Sequence, residues 1–461
     1  MPTPPIFDAL PELSDAAYNA LDILVTARVA EKMAGEGGLA PSLFDQALLG
    51  PSITCSLRGM RVDHGRVPAA MASIQREAST AQEALLALVP AGLKFGKSWK
   101  PSPQALATIL YQGFRVRTRL GKTDSPSVAK DILTEILEDP KTPEVAMPVV
   151  ELALQLSRLE EDRKALEKPA GPDGRIHSSF MVSSAISGRW GSRKDAFGQG
   201  MNLHSASPFI RGIFIADPGY ILVSMDQCQA ESNCVAYLSG SEWYIKAHAA
   251  GNVHMEAAKI FFPEHADKSK TWIKETMHPS NPGTSYYQMS KKLQHGNNYC
   301  QTPNGIARHA HIPQIEARRV QNNYFRNMPE VPAYHRWVAE EIRSKRMLVS
   351  PLGRVRQVLG RTWEQTTVRE LVSWQPQSCI SDITKIFLWR LWRRELDLGI
   401  QILLEHHDSV LFQVPEAKLH VVMTQIMPMT DIPIPIGPRV LNSRWEVKVG
   451  HDWEGMQEWT P

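Results

Sequence analysis

The sequence predicts an α+β protein of several domains: an antiparallel sheet gathered from distant segments, with mainly helical blocks in the intervals. Three observations carry this. The chain has 461 residues, enough for about three units at about 150 residues each. Short apolar runs bounded by turn residues recur far apart, at 176–182, 219–225 and 401–414. Between them lie long stretches of helical composition. Strands and helices segregated in this way point to α+β.

Taken in order, residues 6–40 read as helical, with Leu21, Ile23, Leu24 and Val29 at helical spacing and Gly35, Gly37 and Gly38 stopping the run. Arg58-Gly-Met-Arg-Val-Asp63 reads as a turn and strand start. Residues 128–168 are helical by composition. They end at Lys168-Pro-Ala-Gly-Pro-Asp-Gly174, a Pro/Gly cluster that marks a domain boundary. His177 to Val182 reads as a strand, and Ile221–Met225 as a second, entered through the turn Asp217-Pro-Gly219. Residues 229–262 are helical, Pro279, Pro282 and Gly283 make a loop, and 284–299, 314–346 and 380–398 are helical again. Gln401–Glu405 and Val410–Val414 are strands flanking the tight connection His406-His-Asp408.

Composition narrows the function. With 51 Lys+Arg against 48 Asp+Glu the net charge is +3, so binding of a polyanion requires locally concentrated charge. Residues 91–122 supply it. Lys94, Lys97, Lys100, Arg115, Arg117, Arg119 and Lys122 occur there without a single Asp or Glu, interleaved with Trp99, Tyr111 and Phe114. That mixture suits a nucleic-acid backbone; the plain alternative is a solvated surface balanced by neighbours in space. Five scattered cysteines without CxxC spacing argue against a disulfide framework and structural zinc, and for a reducing, intracellular and cytoplasmic setting. No run of 18 apolar residues predicts a membrane span, and no signal peptide is visible.

Two carboxylates stand at the edges of apolar strands: Asp226 ends one, and Asp408 sits in a turn between two others. If the strands share a sheet, the pair faces one site and suits Mg²⁺, which keeps waters and takes substrate phosphates as further ligands. The alternative is a strand-end residue and a hairpin residue without chemistry. Lys291, His295 and Tyr299 fall four apart, on one helical face. They suit a nucleotide, with phosphates toward the cation and imidazole and the base on the ring; the alternative is an amphipathic surface helix with a buried Tyr.

Several motifs, in order, resemble those of the family A DNA polymerases, the bacterial DNA polymerase I type, and especially its bacteriophage members. Asp173-Gly-Arg-Ile-His177, Ser187-Gly-Arg-Trp190 and Asn202 are similar to the stretch that opens the family palm. Ser224-Met-Asp-Gln-Cys-Gln-Ala-Glu231 with Leu238-Ser-Gly240 resembles motif A. Lys291-Lys-Leu-Gln-His-Gly-Asn-Asn-Tyr299 resembles motif B of the phage subgroup. Gly353-Arg-Val-Arg356, Arg369 and Gln377-Ser378 resemble later blocks, His406-His-Asp-Ser409 resembles motif C, and Val447-Lys-Val-Gly-His-Asp-Trp453 resembles the family's ending. Departures include Gln227 and Cys228 for the motif A Tyr-Ser, Ser409 for Glu, and Cys300 for Gly.

The resemblance implies a right-hand polymerase with an antiparallel-sheet palm. The thumb would span 51–172, the palm 173–240 and 351–461, and the fingers 241–350, after an N-terminal helical segment 1–50. It implies DNA synthesis from dNTPs on primer–template DNA, in phage replication, with Asp226 and Asp408 holding two Mg²⁺. Gln229, Glu231, Lys291, His295 and Tyr299 would contact the nucleotide. Arg189, Asn202, Arg369, Gln377 and His407 would contact primer–template, and the cations of 91–122 the duplex backbone. Tyr18-Asn-Ala-Leu-Asp22 resembles the third motif of the 3′–5′ exonuclease, whose earlier acidic motifs are missing. Tyr18 and Asp22 are then relics, or a separate exonuclease or accessory protein docks there; the chain alone is expected not to proofread. The rivals are a single-subunit RNA polymerase, a silent DNA-binding or structural subunit, and a specialised repair or bypass polymerase.

Overall fold

The computed structural model describes residues 39–460 apart from 90–92, 96–97, 122–123, 140, 168–169, 196–197 and 199. Most of the helix expected over 6–40, with Tyr18 and Asp22, lies outside the described residues, as does Lys97.

The central strand is Tyr220–Gln227, in a five-stranded antiparallel sheet. Its neighbours are Ser409–Pro415 and Trp445–Gly450, with Gln401–His406 and Gln457–Glu458 outside them. Leu222, Val223 and Met225 are fully buried. A near-continuous apolar run of this kind belongs to a strand covered on both faces. The helix Gln365–Arg393 packs against the sheet, placing Phe387 4.8 Å from Trp445. The connection between Gln401–His406 and Ser409–Pro415 is only His407 and Asp408. His407 adopts φ 63°, the left-handed conformation that two-residue hairpins demand.

The expected strand 176–182 does not join this sheet. Arg175–Ile176 pairs with Met60–Arg61, and Ser179–Met181 with Gly191–Arg193. The break falls where side chains find other partners. His177 Nδ1 lies 3.2 Å from the Ser56 carbonyl, and the Ser178 hydroxyl donates to the Met201 carbonyl at 2.8 Å. The fifth segment of the sheet comes instead from Trp445–Gly450.

The helical expectations hold with finer division. Residues 229–262 form Ala230–Ser239, Glu242–Ala249 and Val253–Phe261. The breaks follow Gly240 and Gly251, at φ 72° and 70°. Residues 314–346 divide into Gln314–Asn327 and Glu330–Lys345 at Pro329. The loop at 279–283 is the turn of a short hairpin, Met277–His278 with Asn281–Ser285. The helix expected from 380 starts at Gln365 and runs through Pro376. Trp374, Gln375 and Ser378 around that proline are buried, so packing overrides a residue that ordinarily breaks helices.

Three apolar interiors result. One surrounds the sheet and extends between the helices Val67–Leu88 and Met147–Leu166. The second lies within 235–331 and the third within 334–374. A buried charge cluster ties the helix Leu39–Ala47 to the sheet side. Arg354 donates to both oxygens of Asp45 at 2.8 and 2.9 Å and to Asp382 at 2.8 Å, while the fully buried Lys385 lies 3.1 Å from Asp45. Two cations balance two anions there, which is the condition for burying charge.

Candidate active site

Asp226 lies one residue before the end of the central strand, and Ser409 faces it in register. Asp408 precedes Ser409 in the hairpin, and its carbonyl accepts from the N–H of Gln227 at 3.0 Å. On the other side Glu446 faces Asp226. Burial, then the neighbouring Asp408 and Glu446, push Asp226 up to about 7. Burial also raises Asp408. A buried pair of this kind is stabilised in its ionised form by cations. Among the described residues no group of three or more His, Cys, Asp or Glu side chains could hold a metal ion. Two carboxylates that leave most of a coordination sphere open fit Mg²⁺, whose remaining ligands are waters and substrate phosphates.

Beside Asp408 a cavity of about 380 Å³ is lined by Gln229, Glu231, Lys291, His295 and Tyr299. The helix Tyr286–Asn298 carries Lys291 and His295, with Tyr299 at its C-cap, and starts with a full capping box between Ser285 and Gln288. Lys291 Nζ lies 5.2 Å from the Tyr287 ring centre, and the His295 and Tyr299 rings meet edge-on at 4.7 Å. The Tyr299 hydroxyl donates to one oxygen of Glu231, and Arg189 donates to the other. Glu231 is thus held at both oxygens, while burial and Glu231 raise Tyr299 well above the usual phenol range. Gln229, at φ 50°, precedes the helix Ala230–Ser239. Left-handed backbone at Gln229 and at His407 concentrates strain beside the two acids, as functional sites often do.

Sequence reasoning missed His254, which lines the same cavity. Its Nδ1 lies 2.6 Å from the Gln294 amide oxygen, which can only accept, so Nδ1 carries the proton. Burial lowers it to about 4. Only the helical composition of its segment had been legible. Also missed were Glu446 and a buried group behind the hairpin. The His204 and His407 rings lie 4.9 Å apart, tilted by 54°, and His204 Nε2 donates to the Glu405 carbonyl at 2.7 Å. Burial holds His204 down to about 4 and His406 to about 3. The Glu405 carboxyl is fully buried, with His204 Nε2 3.6 Å from one of its oxygens, and burial pushes it up to about 8.

Arg369 and Gln377 line a second groove, of about 720 Å³, which shares His295 and Tyr299 with the first cavity. Its other wall includes Thr134, Leu137 and Arg308. Arg308 donates to the carbonyls of Leu137, Asp139 and Thr142. Asn202 is exposed and spends its side chain accepting from the His204 N–H at 3.1 Å; it lines neither space. In the basic stretch Lys94, Arg115 and Arg117 are exposed. Lys100 lines a separate cavity of about 890 Å³. Arg119 is paired with Asp139, so its charge is already matched.

Comparison with known proteins agrees with this architecture. The family model for DNA polymerase family A matches residues 70–454. The thermostable DNA polymerase I of Thermus thermophilus is 25% identical over 415 residues, covering 86% of this chain and 46% of that protein. The DNA polymerase I of Treponema pallidum is 26% identical over 373 residues, covering 76% and 34%. The chain thus spans less than half the length of these curated relatives. Among solved structures, the POL domain of Pol1 from M. smegmatis, in complex with DNA primer-template and dNTP, shares the fold with a TM-score of 0.67. It is 23% identical and the match covers 90% of this chain and 70% of that one. With the family model matched over residues 70–454, the chain belongs to DNA polymerase family A.

Proposed function

We propose that this chain extends a primer 3′ hydroxyl with dNTPs, directed by a template DNA strand. The observation that carries the reading is the juxtaposition of Asp226 and Asp408 beside a cavity lined by Glu231, Lys291 and Tyr299. The solved domain of like fold is itself a complex with primer-template and dNTP, and Arg369 and Gln377 line the adjoining groove. We read a thumb at 51–172, a palm at 173–240 and 351–461, and fingers at 241–350; the separate apolar interior within 235–331 supports the fingers, while thumb and palm share one interior.

In this mechanism Asp226 and Asp408 would hold two Mg²⁺. The chemistry such ions supply is activation of the attacking oxygen and neutralisation of charge on the leaving phosphates. The chain's own residues do the rest. Lys291 places a fixed positive charge toward the triphosphate, and His254, held by Gln294, offers its free ring nitrogen to the same cavity. Glu231, pinned by Tyr299 and Arg189, stands against the sugar and excludes a 2′-hydroxyl. Tyr299 covers the base, and His407 and Arg189 orient the primer end. Exposed Lys94, Arg115 and Arg117 meet backbone phosphates, which position the duplex without reading sequence. The setting we infer from the motif B likeness is bacteriophage DNA replication.

Primer extension on a recessed duplex with Mg²⁺ and four dNTPs tests this. The expected result is extension by the wild type, none by Asp226→Ala, and a 3′-mismatched primer that keeps its length. Unchanged behaviour of Asp226→Ala would instead indicate a silent DNA-binding subunit. Efficient rNTP incorporation would indicate an RNA polymerase.

A further inference from the structure

We propose that the loop 358–364 is a stacking platform for the single-stranded template just beyond the duplex, with Trp363 as its surface. The inference rests on the polymerase reading above. Its first support is charge. Residues 336–369 hold eight Lys and Arg against three Glu; with Arg354 spent on Asp45 and Asp382 the excess is still four, in a chain whose net charge is +3. Arg343, Lys345, Arg346 and Arg361 among them are exposed.

The second support is an apolar surface held outward. Trp363 is 64% exposed and Leu359 90%. This is not a frayed segment. The Arg346 guanidinium donates to the carbonyls of Val358, Leu359 and Gly360 at 3.2, 3.4 and 3.0 Å. The Val358 N–H returns to the Arg346 carbonyl at 2.8 Å, and Arg361 pairs with Glu364 at 3.2 Å. One side chain thus fixes three successive carbonyls, so the exposure of Leu359 and Trp363 is part of the design of the loop.

The third support is position. The helix Gln365–Arg393 starts just after Trp363, and its Thr366, Arg369, Ser373 and Gln377 line the groove shared with His295 and Tyr299. Arg369 lies four residues into this helix, about 6 Å from its start at helical rise, and Trp363 stands two residues before that start. A strand that leaves the groove past Thr366 meets Trp363 next. Cations that track phosphates, combined with an exposed aromatic face, are the recognition chemistry of single strands. Within a duplex the bases already stack on one another, so only its terminal pair has a free face to offer. Continuity with the groove favours the template over a displaced strand.

The test is equilibrium binding of primer–templates whose 5′ template extension is either a single nucleotide or about ten nucleotides, a length within known single-strand site sizes. Wild type, Trp363→Ala and Trp363→Phe are compared, with a forked duplex carrying a displaced strand as a further arm. Wild type is expected to bind the long extension about tenfold more tightly, the scale of one base–aromatic stack. Trp363→Ala loses that preference and Trp363→Phe keeps most of it. Binding and extension of the short substrate stay unchanged in both, which reports an intact fold. Absence of the preference in wild type, or its full retention in Trp363→Ala, overturns the platform. A loss confined to the forked duplex overturns it in favour of the displaced strand. Failure of wild type to extend any primer would defeat the polymerase reading, while the length preference would still report on the platform.

Discussion

The N–H of Gln227 donates to the carbonyl of Asp408 at 3.0 Å, so the residue following one acid is bonded to the other. The Gln227 side chain extends the tie. Its amide donates to the Thr384 hydroxyl at 2.7 Å and to the Ile380 carbonyl at 3.1 Å on the helix behind the sheet. The spacing of the two carboxylates is therefore set by backbone pairing and by one buried amide. Gln227→Leu should cost about 1–3 kcal/mol, the net worth of two buried hydrogen bonds, and should slow extension. Denaturant unfolding equal to wild type would show that the clamp contributes nothing.

Glu405 makes stability depend on pH. Its folded value, pushed up to about 8 by burial, lies above the ordinary carboxylate value. Below the ordinary value both folded and unfolded chains keep the proton. As pH rises from there toward 8 the unfolded chain releases it and the folded chain does not, so stability falls across that window. Glu405→Gln keeps the neutral shape and removes this slope. Chemical denaturation at about pH 5 and about pH 8 should show the variant to be more stable than wild type at the higher value. Parallel slopes in the two proteins would mean that Glu405 ionises freely in the folded state.

Sugar selection should depend on how firmly Glu231 is held. Glu231→Ala opens the space it fills and should lower the preference for dNTP over rNTP by about tenfold or more, read as a ratio of kcat/KM. Tyr299→Phe removes one of its two anchors, since Arg189 remains, and should give a smaller change in the same direction. A Tyr299→Phe effect on dNTP use alone would place the tyrosine against the base only.

Two arginines two residues apart should behave differently. Arg117 is exposed, whereas Arg119 is paired with Asp139. Arg117→Gln should weaken duplex binding and lower the salt slope by about one unit, as for one lost phosphate contact. Arg119→Gln should leave the slope alone and lower thermal stability, because Asp139 loses its partner. Equal salt slopes for wild type and Arg117→Gln would remove the basic stretch from the DNA path.

Much of the fold was legible locally. The helices at 147–166 and 286–298 lie within the stretches 128–168 and 284–299 read as helical, the first from composition, and the hairpin at 401–415 follows from two apolar runs around a tight connection. The motif resemblance led to Asp226 and Asp408, which spacing alone left as unremarkable strand-end residues. What stayed hidden is set by distant partners. Trp445, Val447 and Val449 alternate with Glu446 and Lys448, a sound strand signal. Nothing local says that this strand pairs with one more than two hundred residues earlier. The run at 176–182 looked like a single strand because its breaking bonds reach to Ser56 and Met201. Pro376 hid the start of a long helix whose stability comes from burial. His254 and Glu405 gain their character from what surrounds them in space, which a linear reading does not contain.

The pairing of Tyr220–Gln227 with Trp445–Gly450 has a consequence for how the protein is made. The central strand is translated more than two hundred residues before its second neighbour. Until then one edge of that apolar strand has no hydrogen-bonding partner, and open edges invite aggregation. A chain terminated before Trp445 would carry both acids yet lack the strand that places Glu446 opposite Asp226. Chains that stop before Trp445 are therefore expected to aggregate.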